Sequence, residues 1–321
     1  MTDESPMRDI LTVTLNPALD LATKVAEVSA NVKLRCEPAR LDPGGGGINV
    51  SRAVQILGGA SRSFVVLGGH NGEHMAKLMT EAGLDLLVHP GRGETRSSLS
   101  VIDKRTGEQY RFMLPGPEWM PLDITAVSAS ITATAMPGGL AVLSGSIPPG
   151  VPDSILLDLS RRINAQGVDV VVDTSGPALH IMSRATDRAP HVLRMNHEEA
   201  DDLAGRPLRD IQDSADFAQS LVARGVARII IVARGPEGSV LASAGVRLHS
   251  RAADVPVRSK VGAGDTFVGG FTLGLALNED LPAALTRGVA AASAAVMTEG
   301  TQLCRREDAE TLIGRCQSHP I

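Results

Sequence analysis

Aromatic residues are nearly missing from this 321-residue chain: five Phe, one Trp and one Tyr make up 2% of it. Ligand recognition here must therefore rest on hydrogen bonds and charges, with little ring stacking. Lysine is scarce as well, at Lys24, Lys33, Lys77, Lys104 and Lys260, so most of the 31 basic residues are Arg. Basic charge is not in excess, because 36 acidic residues leave a net charge of −5. A nucleic-acid binder would carry a basic surplus or stripe, so that class is excluded. The three cysteines, Cys36, Cys304 and Cys316, are odd in number and lack CxxC spacing. They predict reduced thiols, with neither a zinc site nor a disulfide framework. No apolar run reaches the 18 residues of a spanning helix, and the acidic start MTDESPMRD is unlike a signal peptide. A cytoplasmic protein is the expectation, with no membrane or nucleic-acid partner.

Glycine is abundant instead, with 33 residues. It follows no G-X-Y period, which excludes a collagen-like chain. Nine glycines fall within 44–72 and five within 262–274, so the excess predicts two ligand-facing backbone surfaces.

Short runs rich in Val, Ile and Leu predict strands at 10–15, 63–67, 140–143, 168–172, 192–195, 229–232 and 239–242. Amphipathic stretches predict helices at 48–57, 72–82, 153–165 and 214–224, and two long helices at 263–277 and 282–298. Continuous apolar strands alternating with helices indicate an α/β fold with a mostly parallel central sheet covered on both faces. Residues 19–43 and 96–114 break this rhythm and read as extended. They predict a small separate sheet projecting from the core, as a lid would; an edge hairpin without a lid role is the alternative.

Two motifs carry chemistry. In VGAGDTFVGGF (261–271), the N–H groups of Gly262, Ala263 and Gly264 open a helix and can form an anion site. Asp265 beside it can act as general base for a hydroxyl attacking a phosphoryl group. The alternative is a helix-capping Asp. In PGGGGINVSRA (43–53), four glycines let the backbone approach a ligand before a helix that carries Asn49. The alternative is a flexible turn. Neither a P-loop nor a dinucleotide fingerprint is present.

Taken together, TLNPALD (14–20), KLRC (33–36) with PGGGGIN, NHEE (196–199) and VGAGD resemble the PfkB/ribokinase family of carbohydrate kinases, in family order from about residue 10 to 308. GEQYRF (107–112) and SGSIPPG (144–150) are most similar to its 6-phosphofructokinase isozyme 2 branch. The resemblance implies one ribokinase-like domain over 1–321, with a three-layer core and a β-sheet lid formed by about 18–43 and 95–115. It implies ATP-dependent phosphorylation of fructose 6-phosphate at its 1-hydroxyl. Tagatose 6-phosphate or fructose 1-phosphate are the alternative substrates, and a non-catalytic sugar-phosphate binder is the alternative class. Asp265 would be the base and Gly262, Ala263 and Gly264 the anion hole. Asp20, Gly45, Gly46, Gly47, Asn49, Ser146 and Asp173 would hold the sugar, and Lys33, Arg35 and Arg96 its phosphate. Each of these cations taken alone reads first as a solvated surface charge, and the match to the family pattern reverses that.

On the nucleotide side, the resemblance implies Arg194, Asn196, Ala233, Arg234, Gly235, Gly238 and Ser293 as ATP contacts. Glu199 would act on Mg²⁺ through water, although HEEADD also reads as an acidic helix start. A K⁺ loop is implied at Ser259, Val261, Ala295, Thr298, Gly300 and Gln302. A homodimer through the lid sheet is implied too, with Leu99, Val101, Tyr110 and Phe112 as its apolar face. The chain departs from the branch at Arg194-Met195, Glu198, Ala233-Arg234 and Lys260. An Arg fork is not geometrically equivalent to the usual ammonium.

Overall fold

The computed structural model describes residues 7–187, 189–299 and 302–321. The chain opens with β1 (Ile10–Thr14), β2 (Ala18–Val25), β3 (Arg40–Gly44), α1 (Gly46–Ile56), β4 (Arg62–Leu67), α2 (Gly69–Glu81) and β5 (Asp85–Pro90). It continues through β6 (Arg96–Asp103), β7 (Gln109–Met113), α3 (Pro121–Thr134), β8 (Leu140–Ser144), α4 (Ile155–Asn164), β9 (Asp169–Asp173) and α5 (Gly176–Met182). Next come β10 (Val192–Asn196), α6 (His197–Ala204), α7 (Ile211–Ala223), β11 (Ile229–Ala233), β12 (Ser239–Ser243) and β13 (Val246–Ser250). The last elements are α8 (Ala263–Ala276), α9 (Leu281–Ala295), α10 (Arg306–Leu312) and β14 (Ser318–Pro320).

A ten-stranded sheet has the order β14-β13-β12-β11-β10-β9-β8-β1-β4-β5. Its pairs are parallel from β11 to β5, and the three strands β12, β13 and β14 close one end antiparallel. Successive strand residues feed opposite cores, since side chains alternate across a sheet. Leu11, Val13, Ala141, Leu143, Val170 and Val172 pack in one cluster; Ile10, Leu140, Val142 and Val171 pack in the other. Both faces are dry, which is why these strands read as unbroken apolar runs.

The mixed α/β architecture and the smaller sheet agree with the sequence reading. The smaller sheet has the order β3-β2-β6-β7, with β2 parallel to β6 and antiparallel neighbours elsewhere. Its hairpin turns at Asp103, whose Oδ1 accepts from Arg105 N and Thr106 N at 2.8 and 3.1 Å. Such local acceptance is the usual reason an Asp nucleates a turn.

Three glycines of the second cluster do not face a ligand. A Cβ on Gly269 would lie 2.6 Å from Ala53 Cβ, one on Gly270 3.0 Å from Ala291 Cβ, and one on Gly274 2.8 Å from Ala284 Cα. These positions let α1, α8 and α9 approach closely, so only the first part of that cluster is a candidate ligand surface.

Candidate active site

The carboxyl ends of the parallel strands converge on one side of the large sheet, where open α/β sheets take their ligands. Thr14 ends β1, and Ser144 and Asp173 end the neighbouring strands β8 and β9 as a register pair. Arg194 of β10 pairs with Asp173 in turn. Into this crevice come the first turns of α1 and α8.

The first turn of α8 begins at Gly262, which has φ +76 and so takes a left-handed conformation that suits glycine. Gly262, Ala263 and Gly264 therefore lie at the positive end of this helix, where Ala263 N makes only a long bond to Lys260 O at 3.4 Å. Asp265 follows within that turn. Its Oδ2 accepts from Asn49 Nδ2 at 2.9 Å, across 216 residues of sequence. Burial pushes the Asp265 carboxyl up to about 7, and the Asp173 charge adds to the shift; the Asn49 bond and Arg194 oppose it. A carboxylate poised there can take a proton at neutral pH.

Arg194 links the members of this cluster. Its Nη1 donates to Asp173 Oδ1 at 3.0 Å, and its side chain is only 14% exposed. A Cβ on Gly264 would lie 3.2 Å from Arg194 Nη2, so the guanidinium lies against the anion site. Its buried Nε has no hydrogen-bond partner. Such an unsatisfied buried donor is rare and suits an anionic ligand.

The glycine run forms the other wall. Gly45 precedes α1 with φ +139, and side chains at Gly46 and Gly47 would run into the strand ends: Gly46 against Gly145 N at 2.8 Å, Gly47 against Val13 O at 2.6 Å. Asp20 of β2 lies against Gly44 and accepts from Ser98 Oγ. Burial raises the Asp20 carboxyl, while Ser98, Arg96 and Arg111 hold it down and Asp42 adds to the rise.

Ser146 is exposed just past β8 and accepts from Asn16 Nδ2 at 3.1 Å. Arg96 donates to Asn16 O at 3.1 and 3.2 Å and to Leu114 O at 3.4 Å. Its guanidinium thus fastens the turn after β1 as well as facing a small cleft lined by Asn16, Arg92 and the single Trp119. Asn16, Ser98, Arg111 and Ser144 escaped sequence reasoning. Asn16, Arg111 and Ser144 lie inside the TLNPALD, GEQYRF and SGSIPPG segments, and Ser98 carries no local pattern. Lys33 and Arg35 are exposed in the connection between β2 and β3.

The sequence profile described as pfkB family carbohydrate kinase matches residues 13–308. The chain belongs to this family. The ATP-dependent 6-phosphofructokinase isozyme 2 of Mycobacterium tuberculosis (strain CDC 1551 / Oshkosh) is 34% identical over 308 residues, which are 96% of this chain and 89% of the relative. Its namesake in Escherichia coli strain K12 is 35% identical over 303 residues, 94% and 97% of the two chains. Phosphofructokinase-2 from Escherichia coli in complex with fructose-6-phosphate matches at a TM-score of 0.89 and 33% identity, covering 97% of this chain and 99% of that one. Its potassium complex matches at 0.90 and 34%, covering 96% and 99%. A 1-phosphofructokinase of Xanthomonas campestris is 30% identical over 266 residues, 83% of each chain.

In this pfkB kinase, Asn196 and Glu199 form a reciprocal cap at the start of α6. Glu199 N donates to Asn196 Oδ1, and Asn196 N to Glu199 Oε2, both at 2.8 Å. The acidic helix-start reading of HEEADD therefore holds, and the cap leaves Glu199 Oε1 without a partner among the described residues. Burial raises the Glu199 carboxyl; the Asn196 N–H and Arg194 lower it, Asp173 and Glu198 raise it. No group of three or more His, Cys, Asp and Glu among the described residues could hold a metal by itself. One carboxylate together with nucleotide phosphates and waters still fits Mg²⁺, which binds few protein ligands.

Two residues that the resemblance assigned to ATP are occupied elsewhere. Arg234 follows β11 but turns inward, 7% exposed. It donates to Ser214 Oγ at 2.6 Å, Leu208 O at 3.0 Å and Glu237 Oε2 at 2.8 Å. Ser293 is 4% exposed, and its Oγ accepts from Ala253 N at 3.2 Å. A buried polar group needs partners inside the protein, and both have found theirs there. At the same turn, Ala233 is partly buried, Gly235 opens a single 3₁₀ turn, and Gly238 passes against Ser250 O, so backbone lines the approach. Arg234→Met is expected to destabilise the fold by about 1–3 kcal/mol, the cost of leaving Leu208 O and Ser214 unpaired. The ATP KM should stay within about twofold of wild type, since no phosphate contact is lost. Calorimetry and steady-state kinetics read both; a large KM rise at unchanged Tm would restore the nucleotide role.

In the implied K⁺ loop, Thr298 Oγ1 lies 2.8, 2.7 and 2.8 Å from the carbonyls of Ala295, Gln302 and Leu303 and can donate to one of them at a time. Ser259 Oγ accepts from Val261 N at 3.2 Å. Gly300 lies outside the described residues.

Proposed function

We propose that this kinase is an ATP-dependent 6-phosphofructokinase that converts fructose 6-phosphate and ATP to fructose 1,6-bisphosphate and ADP. The Asn49–Asp265 contact carries the reading, because it joins the glycine wall of the sugar site to the base beside the anion site. Identity of 34–35% with isozyme 2 supports the substrate, against 30% with a 1-phosphofructokinase.

The sugar is held by Asp20, the Gly45–Asn49 turn, Ser146 and Asp173, with Lys33, Arg35 and Arg96 as the cations available to its phosphate. Asp265 accepts the proton of the attacking 1-hydroxyl. The new O–P bond forms as the bond from Pγ to the β–γ bridging oxygen breaks, and ADP leaves with that electron pair. Backbone N–H groups of Gly262, Ala263 and Gly264, with Arg194, stabilise the charge on the transferring group. Arg194, Asn196, Ala233 and the Gly235–Gly238 turn line the nucleotide side. Mg²⁺ near Glu199 would neutralise phosphate charge when bound. K⁺ is the proposed occupant of the loop around Ser259, Val261, Ala295, Thr298 and Gln302, whose carbonyls are suitable oxygen donors.

ADP release should be measured with fructose 6-phosphate, tagatose 6-phosphate, fructose 1-phosphate and fructose in parallel. Fructose 6-phosphate is expected to give the highest kcat/KM. Preference for fructose 1-phosphate would turn the assignment to the 1-phosphofructokinase reading, and no turnover on any sugar would leave a binding protein.

The smaller sheet serves as lid and as dimer interface in this proposal. Leu99 and Phe112 pair directly across β6 and β7 and are 38% and 53% exposed. Covering them with a second copy would remove apolar surface from water. Light scattering is expected to give twice the 33.5 kDa chain mass. Phe112→Asp should shift that to the monomer; a monomeric wild type would refute the dimer.

A further inference from the structure

Asn49 presents different atoms on its two sides. Its Nδ2 donates to Asp265 Oδ2 at 2.9 Å, and its Oδ1 accepts from Arg52 Nη1 at 3.3 Å. Arg52 sits almost one turn further along α1 and is partly buried. Asp42 and Arg40 on β3 and Asp20 on β2 face its guanidinium. Asp173 and Arg194 face the Asp265 end of the chain of contacts.

The two ends of a primary amide are nearly alike in shape, so the neighbours decide which way it points. With the carboxylate ionised, an N–H toward Asp265 is favourable. With Asp265 protonated, a reversed amide would accept that proton and stabilise the acid, which is the form useless as a base. A guanidinium has five donors and no acceptor. Placed behind Asn49, it opposes the reversed orientation, because an NH₂ group would then face another donor.

We propose that Arg52 is a positioning residue for the phosphoryl transfer: it locks the Asn49 amide so that one Asp265 oxygen is held and the other is free for the hydroxyl proton. Arg52 acts through Asn49 and contacts no reacting atom. The inference rests on the base role given to Asp265 above. It implies that losing Arg52 disturbs the ionisation of the base more than it disturbs sugar binding.

Wild type, Arg52→Met, Arg52→Lys and Asp265→Asn should be compared with fructose 6-phosphate and ATP from about pH 5.5 to 9, together with their thermal melts. For Arg52→Met, kcat is expected to fall about fivefold to tenfold, with a smaller change in sugar KM. Its acid limb should move up by about half a pH unit. Arg52→Lys, which keeps a donor, should hold the wild-type limb and recover part of kcat. If Arg52→Met lowers only Tm, or raises only KM, or leaves the limb in place, the positioning role is wrong. Should Arg52→Met fail to fold, the lysine variant decides, and a shifted limb in it overturns the proposal. Near-normal turnover by Asp265→Asn is a separate failure, that of the base assignment itself.

Discussion

Asp265→Asn is expected to lower kcat by about 10²- to 10⁴-fold, the usual worth of a positioned general base. Sugar and ATP KM values should move only a few-fold, because the amide keeps the shape of the carboxylate and the anion site is backbone. The wild-type kcat/KM should fall about tenfold per pH unit below its acid limb, which the burial-raised Asp265 carboxyl places near 7. Full activity in the variant would remove Asp265 from the chemistry.

The same variant carries a stability signature of opposite sign. A carboxyl raised by folding holds its proton in the native state at pH values where the unfolded chain has lost it. Stability therefore falls as pH rises from the ordinary Asp value of 3.8 through about 7. Replacing Asp265 by Asn removes that penalty. The variant should melt above wild type at about pH 8, with the difference vanishing toward about pH 4. A group placed for reactivity at the expense of stability commonly shows this trade.

Gly47→Ala is expected to produce the second large effect, without touching a charge. Its Cβ would lie 2.6 Å from both Val13 O and Thr14 Oγ1. Val13 belongs to β1, which is held by β4 on one edge and β8 on the other, so its carbonyl cannot step aside. The first turn of α1 must move instead. Overpacking of this kind costs about 1–3 kcal/mol, and the Tm should drop by roughly 3–8 °C. Asn49 lies two residues on, so the Asn49–Asp265 bond moves with the turn. A displacement near 1 Å there costs on the order of 10²-fold in rate. Calorimetry and kcat/KM should thus fall together; an unchanged pair of values would show that the glycine is not needed for close approach.

Much of the architecture was legible because its signals are local. The apolar runs at 10–15, 140–143 and 229–232 became β1, β8 and β11, since both faces of those strands are dry. The helix opening at Ala263 is marked by the glycine before it and by the Asp in its first turn. Strands β5, β13 and β14 went unread. The burial of β5 is broken residue by residue, and β14 is three residues long, held by pairing with β13 more than by its own sequence. Helix α3 was missed as well. It starts where Pro121 follows Met120, whose N donates to Asp123 Oδ2 at 2.8 Å, a cap that no apolar period announces.

The fold brings Asp265 and Asn49 of two separate motifs together, whereas Arg234 and Ser293 spend their polar atoms on partners inside the protein. A motif fixes which side chain stands at a position, but its rotamer is chosen by what can satisfy it. Ser214 and Leu208 come from other segments, and only folding brings them to Arg234.

By itself, then, the sequence determined the alternation of strands and helices, the family, and the two glycine-rich turns that open α1 and α8. Each of these depends on neighbours a few residues apart. Tertiary structure alone decided that Asn49 reaches Asp265, that Arg194 fills the space left by Gly264, and that Arg52 backs the amide. The first two join residues far apart in the chain, and the third has meaning only once the first exists. The raised Asp265 carboxyl belongs with them, because burial and the Asp173 charge exist only in the folded crevice.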